Sequence, residues 1–239
     1  MKEVYVVSAL RTAVGSLGRS LKNITGDELG SNVISSLLSF SKIDKSSVDE
    51  VIMGQVLTGG TGQNPARQAA IKSGIPKEKP AFVVNQVCGS GIRSVASGFQ
   101  SIKAGDNKIV ISGGQESMSL APHAIFLREG KKLGDAEIID TMIKDGLWDA
   151  FHGYHMGITA ENVAEKFQVT REEQDKFALK SQEKAIKAQK ENKFKDEIIN
   201  VKIKSKKAEI DFNKDEHPRE GINLEALSRL KPVFKKDGP

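Results

Sequence analysis

The chain of 239 residues has little cysteine, few aromatic residues and no long apolar run, and each shortage excludes a class of protein. A single cysteine, Cys88, excludes an internal disulfide framework and a zinc site built from several cysteines, and it favours a reducing cytoplasm. No apolar run reaches the roughly 18 residues that a membrane span needs, and the first residues lack the layout of a signal peptide. We therefore expect a cytoplasmic chain that does not enter a membrane.

Histidine and charge narrow the function classes further. The four histidines include no His-Glu-x-x-His pair, so we expect no metal site. The net charge is +5, and from Arg171 onward 18 Lys and Arg face 14 Asp and Glu. Aromatic residues make up only 5% of the chain, which argues against a nucleic-acid surface. The basic stretch Lys176–Lys195 is a solvated helix face or, alternatively, a rim that attracts an anionic nucleotide cofactor.

The first half alternates short apolar segments with segments of helical periodicity. We predict strands over Val4–Ala9, Val51–Val56, Ala81–Val87 and Lys108–Ser112, and helices over Asp27–Leu38, Asn64–Ile71 and Ser90–Ala104. Asn64 followed by Pro65 is typical of a helix start, because Asn caps the helix and Pro is favoured at its first position. Such alternation predicts an α/β fold with a mostly parallel sheet covered by helices.

The pattern changes after the glycine pair Gly113-Gly114. Residues 119–157 show weak periodicity and predict a long excursion from the sheet. Helices are predicted over Thr159–Phe167 and from Thr170, which forms a capping box with Glu173, to about Asn192. A strand is predicted over Ile198–Ile203, and the last residues predict a loop.

Cys88 is the candidate for chemistry. The predicted strand Ala81–Val87 runs directly into Cys-Gly-Ser-Gly and then into a helix rich in small residues. A cysteine at a helix N-terminus meets unpaired backbone N–H groups and the positive end of the helix dipole, which favour a thiolate. The amides of Gly89 and Gly91 are candidates to stabilise an oxyanion formed when the thiolate attacks a thioester.

Other interpretations of Cys88 and of the glycine-rich segments compete with the catalytic one. A lone cysteine is most often a small buried hydrophobe, although the Gly-Ser-Gly setting favours function here. A dinucleotide-binding loop is excluded because Ser94 stands where the third glycine is required. The run Gly59-Gly60-Thr61-Gly62 lacks the Gly-Lys-Ser/Thr of a phosphate-binding loop and is interpreted as a connection.

Several segments of the sequence resemble segments of thiolases. The segments that carry the resemblance are collinear from the predicted first strand to the last residues. They are Ser8-Ala9-Leu10-Arg11-Thr12, Gly62-Gln63-Asn64-Pro65-Ala66-Arg67-Gln68, Asn85-Gln86-Val87-Cys88-Gly89-Ser90-Gly91, Gly113-Gly114-Gln115-Glu116-Ser117-Met118-Ser119, Tyr154-His155-Met156-Gly157-Ile158-Thr159-Ala160-Glu161-Asn162 and Asp215-Glu216-His217-Pro218-Arg219. Gln115 departs from the family pattern, in which Met is commoner.

The resemblance implies a fold and a set of site residues. Thiolases have two βαβαβαββ halves with a loop domain inserted in the first, which implies an N-terminal half over residues 1–118 and a loop domain over 119–239, with the C-terminal half absent. Cys88 is then the acyl-accepting nucleophile. Leu147, His155 and Met156 match the pantetheine and acyl pocket, and Arg219 matches an arginine near the adenine nucleotide of CoA. Taken alone, the histidine, methionine and arginine would be a semi-buried histidine, core filler and a surface charge.

The implied activity is that of an acetyl-CoA C-acetyltransferase. The implied substrates and products are acetyl-CoA, acetoacetyl-CoA and CoA, with no prosthetic group, and the implied assembly is a homodimer or tetramer. The family takes its base from a Gly-His-Pro histidine and a second acid/base from Cys-x-Gly, and neither motif occurs in these 239 residues. We therefore expect a fragment that is inactive alone. A non-catalytic CoA-binding or partner-binding remnant is the alternative, and a decarboxylating condensing enzyme ranks third.

Overall fold

A computed structural model describes residues 3–204 and 208–239 and divides the chain into two compact units. The first unit combines the residues up to Gly146 with Glu197–Lys214, and the second combines Leu147–Asp196 with Asp215–Pro239. The predicted boundary after residue 118 follows the layout of the family, whereas these units follow compactness. That boundary stays a prediction.

The first unit contains most of the strands. Its elements are β1 (Arg11–Thr12), α1 (Gly26–Ser41), β2 (Glu50–Gly54), α2 (Pro65–Lys72), β3 (Ala81–Val84), α3 (Ser90–Ala104), β4 (Val110–Gly114), β5 (His123–Ala124), β6 (Ile139–Asp140) and α4 (Thr141–Gly146). The second unit contains β7 (Trp148–Asp149), β8 (Tyr154–His155), α5 (Met156–Phe167) and α6 (Arg171–Lys190), and after it β9 (Ile198–Ile199), β10 (Val201–Lys204) and β11 (Glu209–Phe212) return to the first. The helix α7 (Leu224–Ser228) belongs to the second unit.

A parallel three-stranded sheet in the order β3-β2-β4 organises the first unit. Alternate residues of β2 point to opposite faces. Val51 and Met53 pack with α1 and α2 in the main core, while Gly54 faces the start of α3. The sheet is therefore covered by α1 and α2 on one face and by α3 on the other, which confirms the predicted α/β class.

The long excursion returns to the first unit through paired strands. Arg11 of β1 pairs in parallel with Ile198 of β9, and the Arg11 Nε donates to Glu197 Oε1 at 2.7 Å. The antiparallel hairpin β10–β11 then buries Val201 and Phe212 against Ala13 in a second apolar cluster. This small cluster holds the N-terminal residues and the returning chain together.

Several predicted elements agree closely with the structure. Helix α3 has the predicted bounds, α2 begins at Pro65 with Asn64 as its cap, and α6 begins with the predicted Thr170 capping box. In the described part of the chain no helix is both long and apolar enough to cross a membrane.

Two predictions about elements are wrong. Val4–Ala9 forms no strand, and the side chains of its residues 5–7 are exposed. Its β-branched composition reports strand propensity, whereas a strand also needs a backbone partner. Helix α5 begins three residues earlier than predicted because His155 caps it. Helix α7, which the Asn223 side chain caps, was not predicted, and it ends before the last residues, where a loop was predicted.

Candidate active site

Cys88 lies in the turn between β3 and α3, as the sequence predicts. The strand ends at Val84 and the helix begins at Ser90 with Gly89 as its cap, so Cys88 stands one residue before the cap. Its side chain is exposed. The interpretation of Cys88 as a buried hydrophobe therefore does not describe this turn.

The turn is fixed by hydrogen bonds that the sequence pattern did not predict. The Val87 N–H donates to Asn85 Oδ1 at 2.9 Å, and Ser90 Oγ accepts from the Gln86 N–H at 2.8 Å while donating to Val87 O at 2.6 Å. The Gly89 and Ser90 N–H groups donate to Gln86 O and Val87 O, each at 3.0 Å. These two amides are thus already engaged inside the turn.

The Gly-Gly-Gln-Glu segment supports the sheet edge from which this turn leaves. The Gln115 N–H donates to Gly54 O at 3.0 Å, and the buried Gln115 side chain donates to Gln55 Oε1 at 2.9 Å. The Glu116 carboxylate accepts from the N–H groups of Val56 and Leu57 at 2.8 and 3.3 Å. A motif that only signalled family in the sequence is therefore a clamp on the residues that follow β2.

Glu116 is half-buried, and its electrostatics reflect that position. Loss of hydration raises the pKa of its carboxyl group, and the hydrogen bonds from Val56 and Leu57 oppose the rise without cancelling it. Each of its two carboxylate oxygens accepts from a backbone N–H of the residues that follow β2, which gives Glu116 a structural role.

Small residues let α3 approach the sheet closely. A Cβ added to Gly54 would lie 2.4 Å from the Ser90 carbonyl carbon, and one added to Gly98 would lie 2.6 Å from Ser112 Oγ. The buried Ser94 hydroxyl bonds to Gly113 O at 2.8 Å. The absence of side chains at Gly54 and Gly98 thus lets α3 lie close against the sheet.

Three of the predicted CoA-contacting residues lie together in the second unit. The strands β7 and β8 form an antiparallel hairpin in which Trp148 pairs with His155, and the Met156 N–H donates to Leu147 O at 2.8 Å. Leu147 and His155 are partly buried, while Met156 is exposed at the first position of α5. The hairpin therefore gathers residues that are separated by eight or nine positions in sequence.

The hairpin turn is held by Asp149. Its carboxylate accepts from the N–H groups of Phe151 and His152, and Asp149 Oδ2 lies 2.9 Å from His152 Nδ1. The backbone N–H of His152, its ring and the N–H of Phe151 together lower the pKa of Asp149. A fixed turn of this kind keeps the two strands in register.

His155 caps α5 through its ring nitrogen Nδ1. Its Nδ1 accepts a hydrogen bond from the Gly157 N–H at 2.9 Å. A neutral imidazole that accepts at one nitrogen carries its proton on the other, so Nε2 is the donor. The ring stacks on Phe234 with 5.0 Å between centroids, and a Cβ at Gly157 would lie 2.3 Å from that phenyl ring, which would then have to move.

Arg219 belongs to the same unit and lies beside α6. It is exposed, and its backbone N–H donates to Gln182 Oε1 on α6 at 2.8 Å. Cys88 belongs to the first unit, and the four predicted CoA contacts belong to the second. Among the described residues, no group of three or more His, Cys, Asp or Glu side chains is arranged to hold a metal ion.

Asn64 and Arg67, which belong to another of the thiolase-like segments, have a structural role. Asn64 caps α2 and also donates from Nδ2 to Ala81 O at the start of β3, at 2.8 Å. The Arg67 guanidinium donates to the carbonyl oxygens of Lys77 and Lys79 at 2.8 and 3.1 Å. These bonds fix the connection into the strand that leads to Cys88.

Comparison with known proteins decides the family. The family model described as "Thiolase, N-terminal domain" matches residues 4–239. The chain belongs to the thiolase family. It is 54% identical to an acetyl-CoA acetyltransferase of Rhizobium meliloti over 98% of this chain, and 55% identical to one of Paracoccus denitrificans over 100% of it. A cytosolic acetyl-CoA acetyltransferase of the rat is 50% identical over 98% of the chain.

A solved thiolase structure agrees with the fold. The crystal structure of the acetyl-CoA acetyltransferase of Bacillus anthracis superposes with a TM-score of 0.94 at 38% identity, over 98% of this chain and 59% of that one. The Rhizobium and Paracoccus relatives are covered over 60% and 61% of their lengths. This thiolase chain therefore spans about three-fifths of the length of these proteins.

Proposed function

We propose that this thiolase chain supplies the acyl-accepting cysteine of an acetyl-CoA C-acetyltransferase. The supporting observation is the exposed Cys88 directly before α3, within a chain that matches acetyl-CoA acetyltransferases over almost all of its residues. The Cys88 thiolate attacks the thioester carbonyl carbon of acetyl-CoA, and the tetrahedral intermediate then expels the CoA thiolate. The products are acetyl-Cys88 and CoA, which takes up a proton.

The geometry narrows the donors for the oxyanion of that intermediate. The Gly89 and Ser90 amides already donate within the turn, so we propose donors other than the Gly89 amide that the sequence suggested. The amides of Cys88 and Gly91 are the remaining first-turn candidates. A Cβ added to Gly91 would have no neighbouring heavy atom within 4 Å, so this side of the helix start has room for an acyl group.

The second step transfers the acetyl group onward. In thiolysis the acceptor is CoA, and in the condensing direction it is the carbanion of a second acetyl-CoA, which gives acetoacetyl-CoA. We assign Leu147, His155 and Met156 to the pantetheine and acyl portion of these substrates, with His155 Nε2 as a donor, and the exposed Arg219 to the nucleotide. No prosthetic group enters these steps.

The 239 residues supply the nucleophile without its acid–base partners. They contain neither a Gly-His-Pro histidine nor a second cysteine. General acid–base groups typically contribute about 10² to 10⁴-fold each. We propose that the chain by itself accepts one acetyl group and does not sustain turnover, and that the assembled enzyme is a dimer or tetramer.

Cleavage of acetoacetyl-CoA tests this proposal. With CoA present, the purified chain should cleave acetoacetyl-CoA no faster than Cys88→Ala, because the departing carbanion of acetyl-CoA needs an acid that these residues do not supply, while Cys88 still exchanges acetyl groups with acetyl-CoA. Multiple turnover that disappears in Cys88→Ala would show that the chain has the acid–base groups after all. If the chain binds CoA but Cys88 exchanges no acetyl group with acetyl-CoA, a non-catalytic CoA-binding function replaces the proposal.

A further inference from the structure

Val87, immediately before Cys88, adopts a backbone conformation that valine strongly disfavours. Its φ is +49°, in the left-handed region. Lys42 and Gln168, which also have positive φ, are helix C-caps, where this conformation is common. Val87 is the β-branched member of the positive-φ set among the described residues, and it caps no helix.

Backbone strain of this kind persists only where surrounding bonds hold it. Two side chains do so here. Asn85 Oδ1 accepts from the Val87 N–H, and Ser90 Oγ bonds to both the Gln86 N–H and Val87 O, so both sides of Val87 are tied. Ser90 is only 4% exposed, which protects its two bonds from competition with water.

The strained residue controls the direction of the nucleophile. A return of Val87 to negative φ would rotate the peptide that joins it to Cys88 and so change the direction in which the thiol leaves the start of α3.

We propose that Asn85 and Ser90 are positioning residues that hold Val87 in the left-handed conformation and thereby aim Cys88 at the acyl carbon. The relevance to acyl transfer rests on the proposed function of Cys88. Neither residue touches the reacting atoms, and both act through the Val87 backbone.

The test compares substitutions in two backgrounds. Asn85→Ala and Ser90→Ala are made in the natural chain and in Val87→Gly, because glycine adopts positive φ without strain. Ser94→Ala is the matched control, since it removes another buried serine hydroxyl of α3 that bonds to Gly91 O and Gly113 O and not to the turn. Asn85→Ser restores a short acceptor that can form the same type of turn.

The readout is the rate constant for alkylation of native Cys88 by iodoacetamide, divided by the rate for the unfolded chain. In the natural background Asn85→Ala and Ser90→Ala should slow alkylation by about two- to fivefold, because the thiol no longer has the direction that the turn imposes. Asn85→Ser should regain part of the rate, and Ser94→Ala should retain it. In Val87→Gly the two alanine substitutions should have little effect.

Two results would overturn the proposal. One is an equal slowing by Asn85→Ala and Ser90→Ala in both backgrounds, and the other is a slowing by Ser94→Ala as large as that by Ser90→Ala. Acetyl transfer from acetyl-CoA is measured separately on the same proteins. A chain that shows the predicted coupling in alkylation but accepts no acetyl group would refute the proposed function and leave the positioning role supported.

Discussion

At the scale of single residues, Glu116 should leave a signature in the pH dependence of stability. Burial raises the pKa of its carboxyl group in the folded state, so the folded chain keeps a proton there that the unfolded chain has released. The stability that Glu116 contributes is complete below its unfolded pKa and is lost as the pH rises through its folded pKa.

Glu116→Gln should therefore gain stability relative to the natural chain as the pH rises through this window. The melting temperatures of both proteins, measured from pH 4 upward in equal steps, give the difference directly. Glu165→Gln is a suitable control, because the Glu165 pKa is lowered by its bond to Lys235 and the difference should move in the opposite sense. A difference for Glu116→Gln that is constant with pH would contradict the account.

Gly54 carries a second prediction at this scale. A methyl group at this position would overlap the backbone of Ser90 and Gly91, and neither can yield as a flexible side chain would. Gly54→Ala should cost at least about 1–3 kcal/mol, which is typical of overpacking. Gly91→Ala, where the added Cβ meets nothing, is the matched control in thermal melting. Equal costs for the two would mean that the close approach of β2 to α3 is misplaced.

At the scale of elements, the capping box of α6 should contribute measurably to the stability of the second unit. The Glu173 N–H donates to Thr170 Oγ1 at 3.3 Å, and the Thr170 N–H donates to the Glu173 carboxylate at 2.8 Å. Thr170→Ala should destabilise the second unit by about 0.5–2 kcal/mol, and Thr170→Ser should preserve most of the stability. Urea unfolding followed by the far-UV circular dichroism of both variants checks this. An alanine variant as stable as the serine variant would exclude the box as a contributor.

Elements defined by local signals could be predicted from the sequence, and elements defined by distant partners could not. The bounds of α3 follow from glycine at each end, and the start of α2 follows from Asn64-Pro65. Val4–Ala9 has strand composition, but composition cannot show whether a backbone partner is present. Histidine is an uncommon cap, so the early start of α5 at His155 had no signal in the capping rules.

The candidate site also has a part that the sequence pattern predicts and a part that it does not. The Cys-Gly-Ser-Gly pattern placed Cys88 at the start of α3, because strand, turn and helix are contiguous in the sequence. The bonds of Asn85 and Ser90 around Val87 had no signal, since left-handed backbone is expected at glycine or asparagine rather than valine. The one available signal is Ser90, because serine hydroxyls commonly close turns by bonding to nearby backbone groups.

At the scale of the whole molecule, the outer face of α3 should promote self-association. Ile92, Val95 and Phe99 are 72%, 43% and 48% exposed, so α3 presents an apolar face. Exposed apolar patches favour association. Phe99→Lys should shift the chain toward monomer in sedimentation velocity, whereas Phe177→Lys, at an exposed phenylalanine of α6, should shift it less. An equal shift in both variants would show that α3 is not the associating face.

The most direct test of the whole account asks whether Cys88 becomes acetylated. The purified chain is incubated with acetyl-CoA, quenched in acid and digested, and the peptide that contains Cys88 is analysed by mass spectrometry. We predict one acetyl thioester, located on Cys88, removed by added CoA and absent from Cys88→Ser. An unmodified Cys88 after prolonged incubation, in a chain that alkylating reagents do modify, would contradict the central claim that this cysteine is the acyl acceptor.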